Sequence, residues 1–229
     1  MSGTSDVGAR VVVFGLVAIL LMARGAVRAA EEPKKASPWE KAIQAFEARD
    51  QKTPPPKGAI LFAGSSSIVG WKLNQYFPDL QTINRGFGGS RIPDSTEFAD
   101  RIIIPCAPKI IVFYAGDNDM AGGKPPERVC DDYKAFVKKV HDALPETKII
   151  FITIKPSIAR WKLWDKMQAA NKLIAEFIGT DKRLAYVDVG PPMLGDDGKP
   201  KAELFVKDGL HLSAEGYKLW TSLVLPHLK

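Results

Sequence analysis

The sequence predicts an α/β chain: a flavodoxin-like three-layer α/β/α sandwich around a five-stranded parallel sheet ordered 2-1-3-4-5. Three observations lead there. Short apolar runs recur at 59–63 (AILFA), 81–84 (QTIN), 109–115 (KIIVFYA), 148–154 (KIIFITI) and 184–189 (LAYVDV). Longer segments of helical character follow them, at 67–77, 93–104, 126–143, 162–178 and 213–225. Strands that alternate with helices need right-handed crossovers and give a parallel sheet covered on both faces. Third, the polar, glycine-bearing clusters GSSS, NRGFGGS and GDND follow the first three strands, and DGLH lies between the fifth strand and the last helix. In such sheets ligands bind outside the carboxyl ends of the strands, near the switch point between the first and third.

SPWEKAIQAFEARDQK carries Trp39, Ile43, Phe46 and Ala48 at mostly helical spacing, with Ser37 as N-cap and Pro38 at the first helical position. TPPPKG then ends that helix. The clearest later helix is PPERVCDDYKAFVKKVHDAL, which puts Val129, Tyr133, Phe136, Val137 and Val140 on one face and charges on the other.

With 229 residues, 45% hydrophobic and 25% charged, the chain suits one globular domain behind a leader. Residues 11–22 (VVVFGLVAILLM) form an unbroken apolar run of 12 after Arg10. A membrane span needs about 20 apolar residues. The run, followed by small residues with Val27 and Ala29 at the minus-three and minus-one positions, reads as a signal peptide cleaved after Ala29. The alternative is an uncleaved membrane anchor. The expected organisation is a signal peptide at 1–29, an N-terminal helix and linker at 30–57, and the main α/β domain at 58–229. Export to the periplasm or the extracellular space follows, with no stable membrane span after cleavage.

The net charge of +6 falls to about +4 without the leader, and its lysines are scattered. No aromatic-plus-basic module for nucleic acid is present. Cys106 precedes the third strand and Cys130 opens the helix after it. A seven-residue strand separates those ends by roughly 20 Å, beyond the ~7 Å limit for a bridge. Both cysteines are expected to be free.

A serine hydroxyl needs a base. Of three histidines, His141 and His227 read as surface groups, which leaves His211 in KDGLHLSAEGY with Asp208 three residues before it. In a turn that spacing lets the carboxylate hold one ring nitrogen while the other faces a serine. An oxyanion needs donors. The Ser66 N–H, the Gly89 N–H and the Asn118 amide are candidates, and Gly88 replaces Gly89 if the loop is registered differently. Arg160 and Trp161, in KPSIARWKLWDK after the fourth strand, are candidates for the pocket mouth, packing of the tryptophans being the alternative. Asp117 and Asp119 read as supports of the turn. No metal-ligand spacing is present, and no cofactor is expected.

In their order and at strand ends, these serine, glycine, asparagine and histidine blocks resemble those of the SGNH hydrolases, also called the GDSL esterase/lipase superfamily. GSSSIVGW matches the family's first block with Ser65 in the aspartate place, NRGFGG the glycine block, GDND the asparagine block, and Asp208 with His211 the last. The resemblance covers about 58–226 and implies a serine esterase with Ser66 as nucleophile, His211 and Asp208 completing the triad, and Gly89 and Asn118 in the oxyanion hole. The expected substrate is a short-chain, acetyl-like ester, of a small molecule or a glycan. The alternatives are a lysophospholipase or thioesterase acting on longer chains, and a non-catalytic envelope- or carbohydrate-binding protein of the same fold.

Overall fold

The computed structural model describes residues 1–3 and 37–228; the apolar run at 11–22 and the cleavage site after Ala29 lie outside them. From Ser37 onward the chain forms one compact unit. Its strands are β1 (Ile60–Gly64), β2 (Thr82–Gly86), β3 (Ile110–Tyr114), β4 (Lys148–Ile152) and β5 (Leu184–Val187). They pair in parallel in the order β2-β1-β3-β4-β5. The helices are α1 (Glu40–Lys52), α2 (Ser66–Val69), α3 (Leu73–Tyr76), α4 (Ile92–Glu97), α5 (Ala99–Ile102), α6 (Asp117–Ala121), α7 (Pro126–Ala143), α8 (Trp164–Ile178) and α9 (Ala214–Val224). No helix among the described residues is long and apolar enough to cross a membrane.

Alternation along each strand divides the core in two. Leu61, Ala63, Ile111, Phe113, Ile149 and Phe151 face one side, packed with residues of α4, α7 and α8. Ile60, Phe62, Ile110, Val112, Tyr114, Ile150 and Ile152 face the other, packed with Trp71, Tyr217 and Trp220. Both layers are buried, so the strands read as solid apolar runs. Cys106 and Cys130 are buried and free, as the topological argument requires.

The expected strands appear within two residues at each end, but two helices are broken. The segment expected as one helix over 67–77 is two short turns, α2 and α3, with Gly70, Trp71 and Lys72 between them. Trp71 is buried among Phe62, Phe77 and Trp220, and its indole donates to Thr221 Oγ1 at 3.2 Å. That seat in the core interrupts the helix. The segment 93–104 divides at Phe98, which packs edge-on to Phe87 and joins α4 to α5. At the N-terminus, Ser37 and Pro38 form a turn and Trp39 is the N-cap of α1.

Two contacts set the frame of the sheet's carboxyl edge. Gly64 ends β1 with φ +128°, and a Cβ there would lie 1.9 Å from the Tyr114 carbonyl oxygen. Only glycine fits. Helix α1 is held by Asp50, whose carboxylate oxygens both lie 2.6 Å from Nη2 of the buried Arg85. Arg101 adds bonds to Glu40 and Glu47 on the same helix.

Gly64→Ala combines a steric overlap with a left-handed backbone, and urea denaturation should show a loss of at least about 3 kcal/mol; a loss under about 1 kcal/mol would contradict the close approach. Asp50→Ala leaves the Arg85 guanidinium buried without its carboxylate, with an expected cost of about 3 kcal/mol. The exposed pair of Lys138 and Asp142 on α7 provides the control: Asp142→Ala should change stability by less than about 0.5 kcal/mol.

Candidate active site

The three consecutive serines have three different environments. Ser65 and Ser67 are buried, while Ser66 between them is partly exposed. Ser65 continues the hydrogen bonding of the sheet past the end of β1, its N–H donating to the Tyr114 carbonyl at 3.0 Å. The Ser67 carbonyl accepts from the Tyr217 hydroxyl on α9 at 2.9 Å. Ser66 is thus the first residue of α2, held from both sides. As the first residue, its N–H has no acceptor within the helix.

His211 approaches from the segment before α9. Its Nε2 is 3.1 Å from Ser66 Oγ, and its Nδ1 is 2.6 Å from Asp208 Oδ2. A carboxylate only accepts, so Nδ1 carries the proton and Nε2 is left to accept from the Ser66 hydroxyl. The other carboxylate oxygen, Oδ1, accepts from the N–H groups of Leu210 at 2.8 Å and His211 at 2.9 Å. The bond from His211, together with these two, holds the Asp208 carboxyl well below the usual carboxylate range. It is ionised at neutral pH and well below. Gly209 turns this segment with φ +64°, and its carbonyl accepts from Ala159 N–H at 3.0 Å, docking the turn on the loop after β4.

Asn118 sits in the first turn of α6, next to Ser65. Its Nδ2 donates to Ser65 Oγ at 2.8 Å and to the Ser90 carbonyl at 3.0 Å. Its Oδ1 accepts from Arg160 Nη2 at 2.9 Å. A guanidinium has only donors, so Arg160 settles which end of the amide is oxygen and turns the NH2 toward Ser65 and Ser90. Arg160 Nη1 is also 3.1 Å from Asp117 Oδ2, which Lys155 Nζ reaches at 3.3 Å. Burial acts to raise the Asp117 carboxyl, but Lys155 and Arg160 outweigh it and hold the group below its ordinary range. Lys155 is itself buried and donates to the Tyr114 hydroxyl at 3.1 Å. Asp119 pairs with Lys124 at 2.7 Å and accepts from Ile92 N–H at 3.2 Å. Among the described residues no group of histidine, cysteine and acidic side chains could hold a metal ion.

The glycine loop closes the arrangement. A Cβ on Gly88 would lie 4.0 Å from Ser66 Cβ, which places this loop against the serine, and Gly89 has φ +76°. The structure thus brings together Ser66, His211, Asp208, Asn118 and the Gly88–Gly89 loop. Arg160 faces inward to Asn118 and Asp117. Trp161 is half-buried and stacks on Trp164 with ring centroids 6.3 Å apart, and Lys199 Nζ lies 4.7 Å from the centre of its ring. Trp164 also lines a cavity of about 340 Å³ with Gln168, Tyr186 and Asp188 beside β4 and β5, apart from Ser66.

The sequence reading did not find Lys155 or the orienting contact of Arg160 with Asn118. A lysine directly after the apolar run FITI was a visible signal for the first. For the second none exists in one sequence, because residues 118 and 160 meet only through the loop after β4.

The GDSL-like Lipase/Acylhydrolase family matches residues 58–219. No curated protein matches the chain significantly. Several solved structures share its fold. One is a Streptococcus pneumonia protein provisionally described as a platelet activating factor: 24% identity, TM-score 0.75, covering 83% of this chain and 92% of that one. A GDSL-like lipase from Bacteroides thetaiotaomicron gives 20% identity and TM-score 0.69, covering 81% and 96%. A variant of an acetyl xylan esterase from Geobacillus stearothermophilus gives 15% and 0.58, covering 76% and 95%. With the five-stranded sheet in the order β2-β1-β3-β4-β5 and a family match over most of its length, the chain belongs to the GDSL-like lipase/acylhydrolase family.

Proposed function

We propose that the protein is an exported serine esterase that hydrolyses short-chain acyl esters of polar, carbohydrate-like alcohols through a Ser66 acyl-enzyme. One observation carries this reading: the continuous hydrogen-bond chain from Ser66 Oγ to His211 to the ionised Asp208. The family match supports ester hydrolysis, and the apolar leader supports export.

Attack begins at Ser66 Oγ on the ester carbonyl, and His211 Nε2 takes the hydroxyl proton as the new bond forms. Asp208 holds the ring in the tautomer that can accept and stabilises the imidazolium. The carbonyl oxygen becomes an oxyanion facing the N–H groups of Ser66 and Gly89. Asn118 is the third donor. Both its Nδ2 protons are engaged at rest, and the bond to the neutral Ser65 hydroxyl yields to the stronger, charge-assisted pull of the oxyanion. Collapse of the tetrahedral intermediate expels the alcohol, protonated by His211. Water, activated by the same ring, then attacks the acyl-enzyme and regenerates Ser66.

Acyl-chain length follows from the loops around the serine. Burying a long chain requires apolar wall for each methylene, worth about 0.8 kcal/mol apiece. GGSRIPDS and GDNDMAGGKPP supply mostly polar and glycine residues.

Ser66→Ala and His211→Ala should each lower kcat by at least about 10⁴-fold with unchanged circular dichroism, because the groups act as a unit. Asn118→Ala should cost on the order of 10²-fold. Near-wild-type turnover in either of the first two variants would refute the mechanism. In a series of p-nitrophenyl esters, kcat/KM should peak at acetate or butyrate. A maximum at decanoate or beyond would assign the enzyme to long-chain lipid substrates.

A further inference from the structure

Trp39 lies well before the family-matched segment 58–219, in the turn that starts α1. Its indole Nε1 nevertheless donates to the Gly88 carbonyl at 2.9 Å, 49 residues away. This carbonyl belongs to the peptide whose N–H is that of Gly89. In a planar trans peptide the C=O and the following N–H point in opposite directions. A donor that holds the carbonyl from the α1 side therefore turns the Gly89 N–H to the other side.

The loop needs such a restraint. Gly89 has a left-handed φ of +76° and open space where a side chain would be, so packing does not hold it. Among the described residues, no backbone acceptor takes its N–H. The loop is fixed instead at the two carbonyls flanking that residue: Gly88 by Trp39, and Ser90 by Asn118 at 3.0 Å. Trp39 can act as an anchor because it is anchored itself. Its ring lies edge-on to Phe87 at 6.0 Å, its carbonyl receives the N–H groups of Ala42 and Ile43, and Asp50 and Glu47 tie α1 to Arg85 and Arg101.

The geometry points to Trp39 as a positioning residue that aims the Gly89 N–H at the developing oxyanion, and so makes α1 part of the catalytic unit. This rests on the Ser66 reading above. The alternative is that Trp39 only packs, in which case the ring matters and the N–H does not.

The test replaces Trp39 with β-(3-benzothienyl)alanine, which keeps the bicyclic shape and puts sulfur where the N–H was; Trp39→Phe is the simpler companion. Both are assayed on p-nitrophenyl acetate and against a boronic acid that forms a tetrahedral adduct with the active serine. Misdirecting one donor should lower kcat about tenfold while KM stays within about twofold. The boronate Ki should rise by the same factor as kcat falls, and the melting temperature of the isosteric variant should match wild type. Wild-type kcat and Ki in the isosteric variant, or a loss confined to KM, would overturn the proposal. If Trp39→Phe fails to fold, the isosteric variant decides. Turnover that survives Ser66→Ala removes the nucleophile assignment and this inference with it; Ser66-dependent turnover indifferent to the indole N–H removes this inference alone.

Discussion

The close approach of Gly64 to the Tyr114 carbonyl sets the position of everything at the carboxyl edge of the sheet. Strand β1 is bracketed by β2 and β3, and its last residue has a conformation that side chains rarely adopt. Two backbone bonds extend the sheet past that point: Ser65 N–H to the Tyr114 carbonyl, and Phe87 N–H to the Gly64 carbonyl. The first fixes the residue before Ser66, and the second fixes the start of the glycine loop. The serine and the loop proposed to hold the oxyanion are therefore both referenced to one strand end. A site built on a rigid element keeps its geometry better than one built on loops alone.

Around that frame the polar groups are connected in a chain. Asp117, Lys155 and Arg160 form a largely buried cluster, and Arg160 carries its influence to Asn118 through a bond only a donor could make. Such a cluster is costly to desolvate, so its presence beside the serine is better explained by orientation than by stability. It fixes the amide without needing to touch a substrate. The same logic holds at His211, where Asp208 uses both carboxylate oxygens, one on the ring and one on the backbone of the turn that carries the ring.

Ser65, which stands in the aspartate place of the block that GSSSIVGW resembles, has a local consequence. Ser65 is buried and its hydroxyl meets the Asn118 amide at 2.8 Å. A hydroxyl there is neutral and can donate or accept. A carboxylate would hold the same amide with charge and release it less readily.

The sequence by itself determined the architecture, because burial of a parallel sheet on both faces writes solid apolar runs at intervals that only strand–helix units satisfy. It also marked Ser66, Gly89 and Asn118 as candidates, in short glycine-bearing blocks that follow strands, and Asp208 with His211, in the turn before the last helix, because residue type and spacing within such short blocks are legible locally. Helix continuity was not legible at Trp71 and Phe98, where a large side chain seeking the core overrode local periodicity. Tertiary structure alone decided which of three adjacent serines is accessible, which way the Asn118 amide is turned, and that Trp39 and Gly88 are partners. Those facts depend on contacts between residues 42 to 150 positions apart in the chain, and no periodicity or spacing within one segment encodes them.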